Sequence, residues 1–492
     1  MRHIIKKQLI ELELRRRDDI FILQEKASRY YYKNILPAIE EIFDRISGAD
    51  EMIQIDRLEI NLGTISLENP SDDIRIEDLH NTLFKEIEIQ LKNTSKPNYR
   101  SHFNATPSNY KKLSLSLNAG EQWIYYIQHG VLTWNTSPIT EEWKTLVLEA
   151  LATDFALVTR LREVISQSSK SLTRIINEHQ ESFLVKLVEI LTAQEQHSLP
   201  DVLHELHFIL TNLHQKDFVP EIKKEVADKP LKIWTDVIRK AATKTNKPTS
   251  LQIAEQILKE TLQNQHNASE HLENIEKGLH LLKPIMIELS ENITQSTDES
   301  LKQTSGSEAA ETVPPFLASP GSSVSEEGLF VQHAGLVLLH QFFRYLFKNT
   351  GLIEEGKFIN REKQEKAILL LHYLVTGNAE PEEYLLAVPK LLCSWPLDEP
   401  LESYVTLSEQ EKTEANDLLH AAIAQWTILK NTSADGLRDG FLQRNGKMIM
   451  QNDNLFFQVE KSAIDVLLDH LPWNLSHIKL PWMSEMIRVE WR

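Results

Sequence analysis

His204 and His207 stand three residues apart on a predicted helix, with Glu205 beside them. That spacing lets two imidazoles reach one metal ion, but no third ligand is indicated, so both read as surface or core histidines. Cys393 closes the apolar run Pro389-Lys390-Leu391-Leu392-Cys393. Burial raises a thiol's pKa, so this cysteine reads as a small core residue and not as a nucleophile. His340 and His372 fall on apolar faces of predicted helices and read as packing residues with one satisfied nitrogen each. The densest basic run, Arg15-Arg16-Arg17, is followed at once by Asp18 and Asp19, which makes a solvated strand end of it. Lys223, Lys224, Lys229 and Lys232 are offset by Glu221, Glu225 and Asp228. The chain has no glycine-rich phosphate loop, no dinucleotide fingerprint and no nucleophile elbow. The expectation is a non-enzyme, with no catalytic, cofactor-binding or metal-ligating residues and no cofactor.

Aromatic residues are the more unusual feature. Trp473, Trp482 and Trp491 fall within twenty residues of one another, and Met483 follows the second. A tail this apolar must fold against its own domain or be covered by a partner. These four are the candidate protein-interaction residues. Trp473 directly follows a predicted helix and is expected to pack intramolecularly. Trp491, one residue from the end of the sequence, is expected to meet a partner.

The 492 residues include 71 acidic and 53 basic side chains, a net charge of -18. That balance argues against a protein that binds nucleic acid by neutralising phosphates. One cysteine excludes an internal disulfide framework and fits a reducing compartment. Fifteen glycines are few for this length and favour helices. At about 150 residues per domain the chain should form two to four domains. No stretch near Met1 has the roughly 7–15 apolar residues of a secretory signal. The uncharged stretch Gly328 to Phe343 falls short of the ~20 residues that span a bilayer. A soluble cytoplasmic protein without membrane insertion of its own is expected.

The elements that must position these residues make a mainly α, multi-domain chain. Residues 1–92 read as a small α+β module. A strand over His3–Leu14 comes first, then a helix from about Asp18 to Gly48 that Pro37 should kink or divide. Next, Ile53, Ile55, Leu58, Ile60 and Leu62 alternate with polar residues, slipping phase at Asp56-Arg57. A second helix runs over Ile76–Leu91. Residues 93–119 carry Pro97, Pro107 and no clear period, and read as a linker. Residues 120–289 begin with an aromatic cluster, Trp123, Tyr125, Tyr126, Trp134 and Trp143. They continue as helices separated by Pro200, Pro220, Pro230, Pro248 and Pro284. Of the 39 residues from Ser290 to Gly328, 13 are Ser or Thr and only Phe316 is aromatic, so this stretch is expected to be flexible. Residues 329–492 read as a mainly helical C-terminal domain with a β-hairpin over Gly446–Glu460, a helix over Ala463–Leu471 and the tryptophan-rich tail.

Several stretches are more specific than these patterns. Ile55-Asp56-Arg57-Leu58-Glu59-Ile60-Asn61-Leu62-Gly63-Thr64-Ile65, after a helix with Leu36-Pro37, resembles the N-terminal signature of the tape measure proteins of bacterial contractile injection systems. These systems are phage-tail-like particles. Similar stretches follow in order: Trp123 to Trp134, Gly335 to His340 with Phe342-Phe343, Leu371 to Gly377 and Pro389 to Cys393. Then come Leu429 to Ser433, Gly436-Leu437-Arg438, Phe441 to Gly446, Leu471-Pro472-Trp473 and Leu480 to Met483. Together they cover about 1–135 and 330–492. Thr133 and Gln341 stand where the family usually has proline.

The resemblance implies a structural assembly protein that sets tube and sheath length while the particle is built. It implies tube, baseplate hub or cap proteins as partners, a homo-oligomer inside the tube as a further option, and a final place in the tube lumen. An adaptor, scaffold or chaperone of the same particle, binding those subunits without measuring length, is the alternative.

Overall fold

The computed structural model describes residues 10–11, 20–46, 48, 51–55, 58, 60, 81, 83–85, 87–88, 110–133, 136, 139–196, 198–212, 231–243, 249–263, 328–401, 405–429, 431–451 and 454–491. The expected strand over His3–Leu14 apart from residues 10–11, the arginine run, most of the 93–119 stretch and the Ser/Thr-rich stretch up to 327 lie outside them. Helices dominate what is described, so the chain is mainly α with small sheets. It forms two units, one of residues 1–120 with 137–150, the other of residues 121–136 with 151–492. This grouping differs from the expected boundaries, because residues on both sides of 290–328 belong to one unit.

In the first unit, helix Ile20–Tyr30 passes into a widened π turn, Tyr31–Ile35, and then into helix Leu36–Ile46. The division falls where Pro37 requires it. Proline has no N–H to return to the carbonyl four residues back, so the turn before it cannot close as an α-turn. Tyr31, Ile35, Ala38, Ile39 and Ile42 form one buried stripe, which packs with Leu83 and Ile87. Leu58 and Ile60 rest partly buried against that cluster. Strand Glu51–Ile55 pairs antiparallel with Tyr110–Ser114, Ile53 opposite Lys112. The expected linker is corrected at its C-terminal end. Tyr110–Ser114 is a strand, and Ser114 caps a helix, Leu115–His129, by accepting the Leu117 N–H at 3.1 Å. A five-residue strand held by backbone bonds leaves little periodicity to read.

In the second unit, short helices follow one another at Phe155–Gln167, Ser169–Glu178, Glu181–Thr192, Leu199–Asn212, Leu231–Ala241 and Ser250–Gln263. Their starts are local. Asp154 and Ser168 accept N–H bonds from Leu157 and Ser171, and Pro200 occupies the first turn of its helix, where a missing N–H costs nothing.

From Leu329 onward the chain surrounds a single apolar core. Helix His340–Asn349 follows a 3₁₀ turn, Ala334–Leu339, and helices Arg361–Thr376 and Glu409–Gln425 complete the helical side. The expected hairpin pairs Gly446–Gln451 with Asn454–Val459, with Met448 opposite Phe457 and both side chains buried. It is the centre of a five-stranded sheet ordered 329–331, 446–451, 454–459, 487–490, 477–478. The tail strand Ile487–Glu490 runs parallel to Asn454–Val459, a long-range pairing the sequence did not announce. The segment expected as a helix after the hairpin, Ala463–His470, is 3₁₀, opened by a capping box between Ser462 and Asp465.

Candidate functional site

The four tail residues lie on or in the C-terminal core. Trp473 donates its indole N–H to the Leu338 carbonyl at 2.9 Å and meets Phe342 edge to face, ring centres 5.2 Å apart. Trp482 donates to the Leu392 carbonyl at 2.8 Å and packs against the rings of Phe347 and Phe358. Both stay partly exposed, while Met483 is buried. Trp491 is only 4% exposed, so the ring expected to meet a partner is occupied inside its own fold. The cause was readable in the sequence. Ile487, Val489 and Trp491 alternate with Arg488 and Glu490, the period of a strand with one buried face, and the first three are buried.

The stretches that carried the resemblance converge here. Gly335 packs so closely that a Cβ on it would stand 1.7 Å from the Phe441 carbonyl oxygen. Gly446 is held the same way, its would-be Cβ 2.4 Å from that of Ala334. Arg438 donates to the Leu374 carbonyl at 3.1 Å, and Gln443 to that of Val375 at 3.1 Å. The segments beginning at Gly335, Leu371, Gly436 and Phe441 thus fasten to one another through backbone. They read as the frame of this domain.

A second arrangement escaped the sequence reading. Arg174 is fully buried on helix Ser169–Glu178. Its Nε donates to Glu383 Oε2 at 2.9 Å and its Nη2 to Glu383 Oε1 at 3.0 Å, a two-pronged pair. The same guanidinium donates to the carbonyls of Ile127, at 2.5 Å, and Asp398, at 3.0 Å. Lys390, 1% exposed, donates to Glu383 Oε1 at 2.5 Å. Burial alone would raise the Glu383 pKa, but Lys390 and Arg174 outweigh it and hold the carboxyl below its usual range. Glu178 accepts the Glu383 backbone N–H at 3.0 Å. Burial, reinforced by the Glu383 charge, pushes its carboxyl up from 4.5 to about 7. Lys170 and Asp398 pair at the rim at 2.8 Å. Gly130, at φ +71°, lets the chain pass; a Cβ there would stand 2.8 Å from Arg174 Nη2. The available signal was a charge inside an apolar stripe, Arg174 among Leu172, Ile175 and Ile176, and Lys390 beside Leu391 and Leu392.

The remaining candidates sit in ordinary surroundings. His204 faces Glu181 at 3.4 Å, and Trp234 donates to the same carboxylate at 3.2 Å. Among the described residues, no group of three or more His, Cys, Asp or Glu is arranged to hold a metal ion. Cys393 is fully buried, and burial raises its thiol pKa well above the ordinary value. His340 accepts no charge easily, since burial lowers its pKa; its Nδ1 contacts the Val337 carbonyl at 2.9 Å. His372 is 1% exposed beside His333, ring centres 5.6 Å apart. Burial lowers their pKa values to about 3 and about 4, so both stay neutral.

The arrangement is one of packing, caps and buried ion pairs. No curated protein and no solved structure matches the chain. One family model matches residues 2–491, that of the contractile injection system tape measure proteins. The chain therefore belongs to the contractile injection system tape measure protein family, structural assembly proteins of these particles.

Proposed function

We propose that the helical stretch between about 141 and 263 supplies the length the tape measure reads, while the N-terminal unit and the C-terminal domain make the contacts to tube, baseplate hub or cap proteins. One observation carries this reading: the stretch is a series of separate helices of 10–14 residues. Such a series can be shortened or unwound piece by piece, which a single cooperative globule cannot. The frame of the C-terminal domain, fastened by Gly335, Arg438 and Gly446, supports a terminal grip that stays folded. Assembly in the cytoplasm with a final place in the tube lumen follows from this role, and no described helix is long and apolar enough to cross a membrane.

The test is a series of in-frame deletions of whole helices, read as particle length by electron microscopy. Proportional shortening is expected. Particles of normal length would instead favour the adaptor or scaffold reading, which the long-range folding of residues 121–136 with 151–492 keeps in view.

A further inference from the structure

We infer that the Arg174–Glu383–Lys390 cluster is a releasable clasp, the place where the second unit first opens when the folded chain becomes an extended one. The clasp joins segments 209 residues apart in sequence. On one side stand helix Ser169–Glu178 and the end of helix Leu115–His129; on the other, the segment from Glu383 to Asp398. The apolar core of the C-terminal domain takes a small part. Among its described members and the residues packed on it, Val131 and Tyr125 come from before residue 329, and Tyr126 meets Tyr384 edge to face across the junction. The hydrogen bonds and ion pairs there are the larger share. Arg174 meets Glu383, Ile127 and Asp398; Lys390 meets Glu383; Glu178 meets the Glu383 N–H; and Lys170 meets Asp398.

This chemistry suits a joint that must open. A buried ion pair gives a unique geometry but little net stability, since water takes the charges back on opening. An apolar seam would leave exposed surface prone to aggregation. The C-terminal core keeps its own packing when the clasp is open. Loss of a single partner leaves the other charge buried and unpaired, which pushes the joint open.

The use of such an opening rests on the tape-measure reading; the opening itself does not. Cys393 is fully buried. Cysteines placed at the exposed Asn177 and Glu380 of the full chain therefore take a dye pair across the clasp. Energy transfer between the dyes is followed in urea beside hydrogen exchange of the backbone amides of 340–349 and 446–459, which reports the C-terminal core. The dyes are expected to separate at lower urea than the core melts. Glu383→Gln should raise the opening constant at least about tenfold and leave the core transition in place. Asp398→Asn, at the rim, should move the same transition less and serves if Glu383→Gln fails to fold. A single coincident transition in the unsubstituted chain, or variants that move both transitions together, would overturn the clasp. Either result would leave the particle-length test of the tape-measure reading untouched.

Discussion

The indole of Trp491 is buried beside Val489 and Ile487, and its N–H finds no acceptor among the described residues. Its contribution is therefore packing. Trp491→Ala should destabilise the second unit by about 3–5 kcal/mol, the usual cost of emptying a large aromatic site. Urea denaturation of the full chain measures this. Unchanged stability together with failed particle assembly would return Trp491 to the role of a partner contact. Glu178 is the second telling residue. Its carboxyl titrates near 7 in the fold against an ordinary 4.5. The folded state thus binds its proton more tightly. The stabilisation is complete below pH 4.5 and is lost as pH rises through about 7. Glu178→Gln removes that dependence. The variant should exceed the parent at pH 8 by on the order of 2 kcal/mol, with the gap closing toward pH 4.5. His333 and His372 act in the opposite direction. Their lowered pKa values withdraw stability as pH falls below 6.5 toward about 4 and about 3. The comparison of Glu178→Gln with its parent isolates the carboxyl from them. A constant difference across pH would show that Glu178 carries its charge in the fold as freely as in water.

At the scale of elements, close backbone approach and strained backbone are different demands on glycine, and two positions separate them. Gly335 has an ordinary φ but no room for a Cβ against Phe441. Gly351 has φ +64° and nothing within 4 Å of a would-be Cβ. Gly351→Ala should cost only the left-handed strain, about 1–2 kcal/mol. Gly335→Ala must push the 3₁₀ turn away from the Arg438–Leu442 segment and should cost more, at least about 3 kcal/mol. Melting of the two variants side by side checks the order. Hydrogen exchange should show the Gly335→Ala loss at 334–339 and 438–446. The hairpin, the proline-bounded helices and the division before Pro37 were legible in the sequence, because alternation, proline and capping residues act within a few positions. The strand Tyr110–Ser114 and the 3₁₀ form of Ala463–His470 were not. The first depends on a backbone partner just over sixty residues away, Glu51 against Ser114. The second leaves the same apolar pattern as a short α-helix.

Over the whole molecule, particle length becomes a readout of chain conformation. Deleting Leu199 to Gln263 removes 65 residues and leaves the clasp residues in place. If the tape is helical in the tube, the particle should shorten by about 100 Å, at ~1.5 Å per residue. If the tape is drawn out straight, the loss should be about 215 Å, at ~3.3 Å per residue. The whole chain, wholly helical, would span on the order of 740 Å at ~1.5 Å per residue. A particle of unchanged length would remove the helical middle from the measuring role.

The sequence by itself determined the mainly α class, the absence of recognisable catalytic motifs and the family, through stretches such as Gly335 to His340 and Phe441 to Gly446. These rest on local periodicity and on residues whose type alone is constrained, as Gly335 is by the Phe441 carbonyl. Tertiary structure alone decided which distant residues meet. It set Trp491 in a sheet core and brought Arg174 to Glu383. It also folded residues 151–263 into one unit with residues after 328. A buried ion pair leaves no period in the sequence, and strand pairing is satisfied by backbone groups that every residue carries.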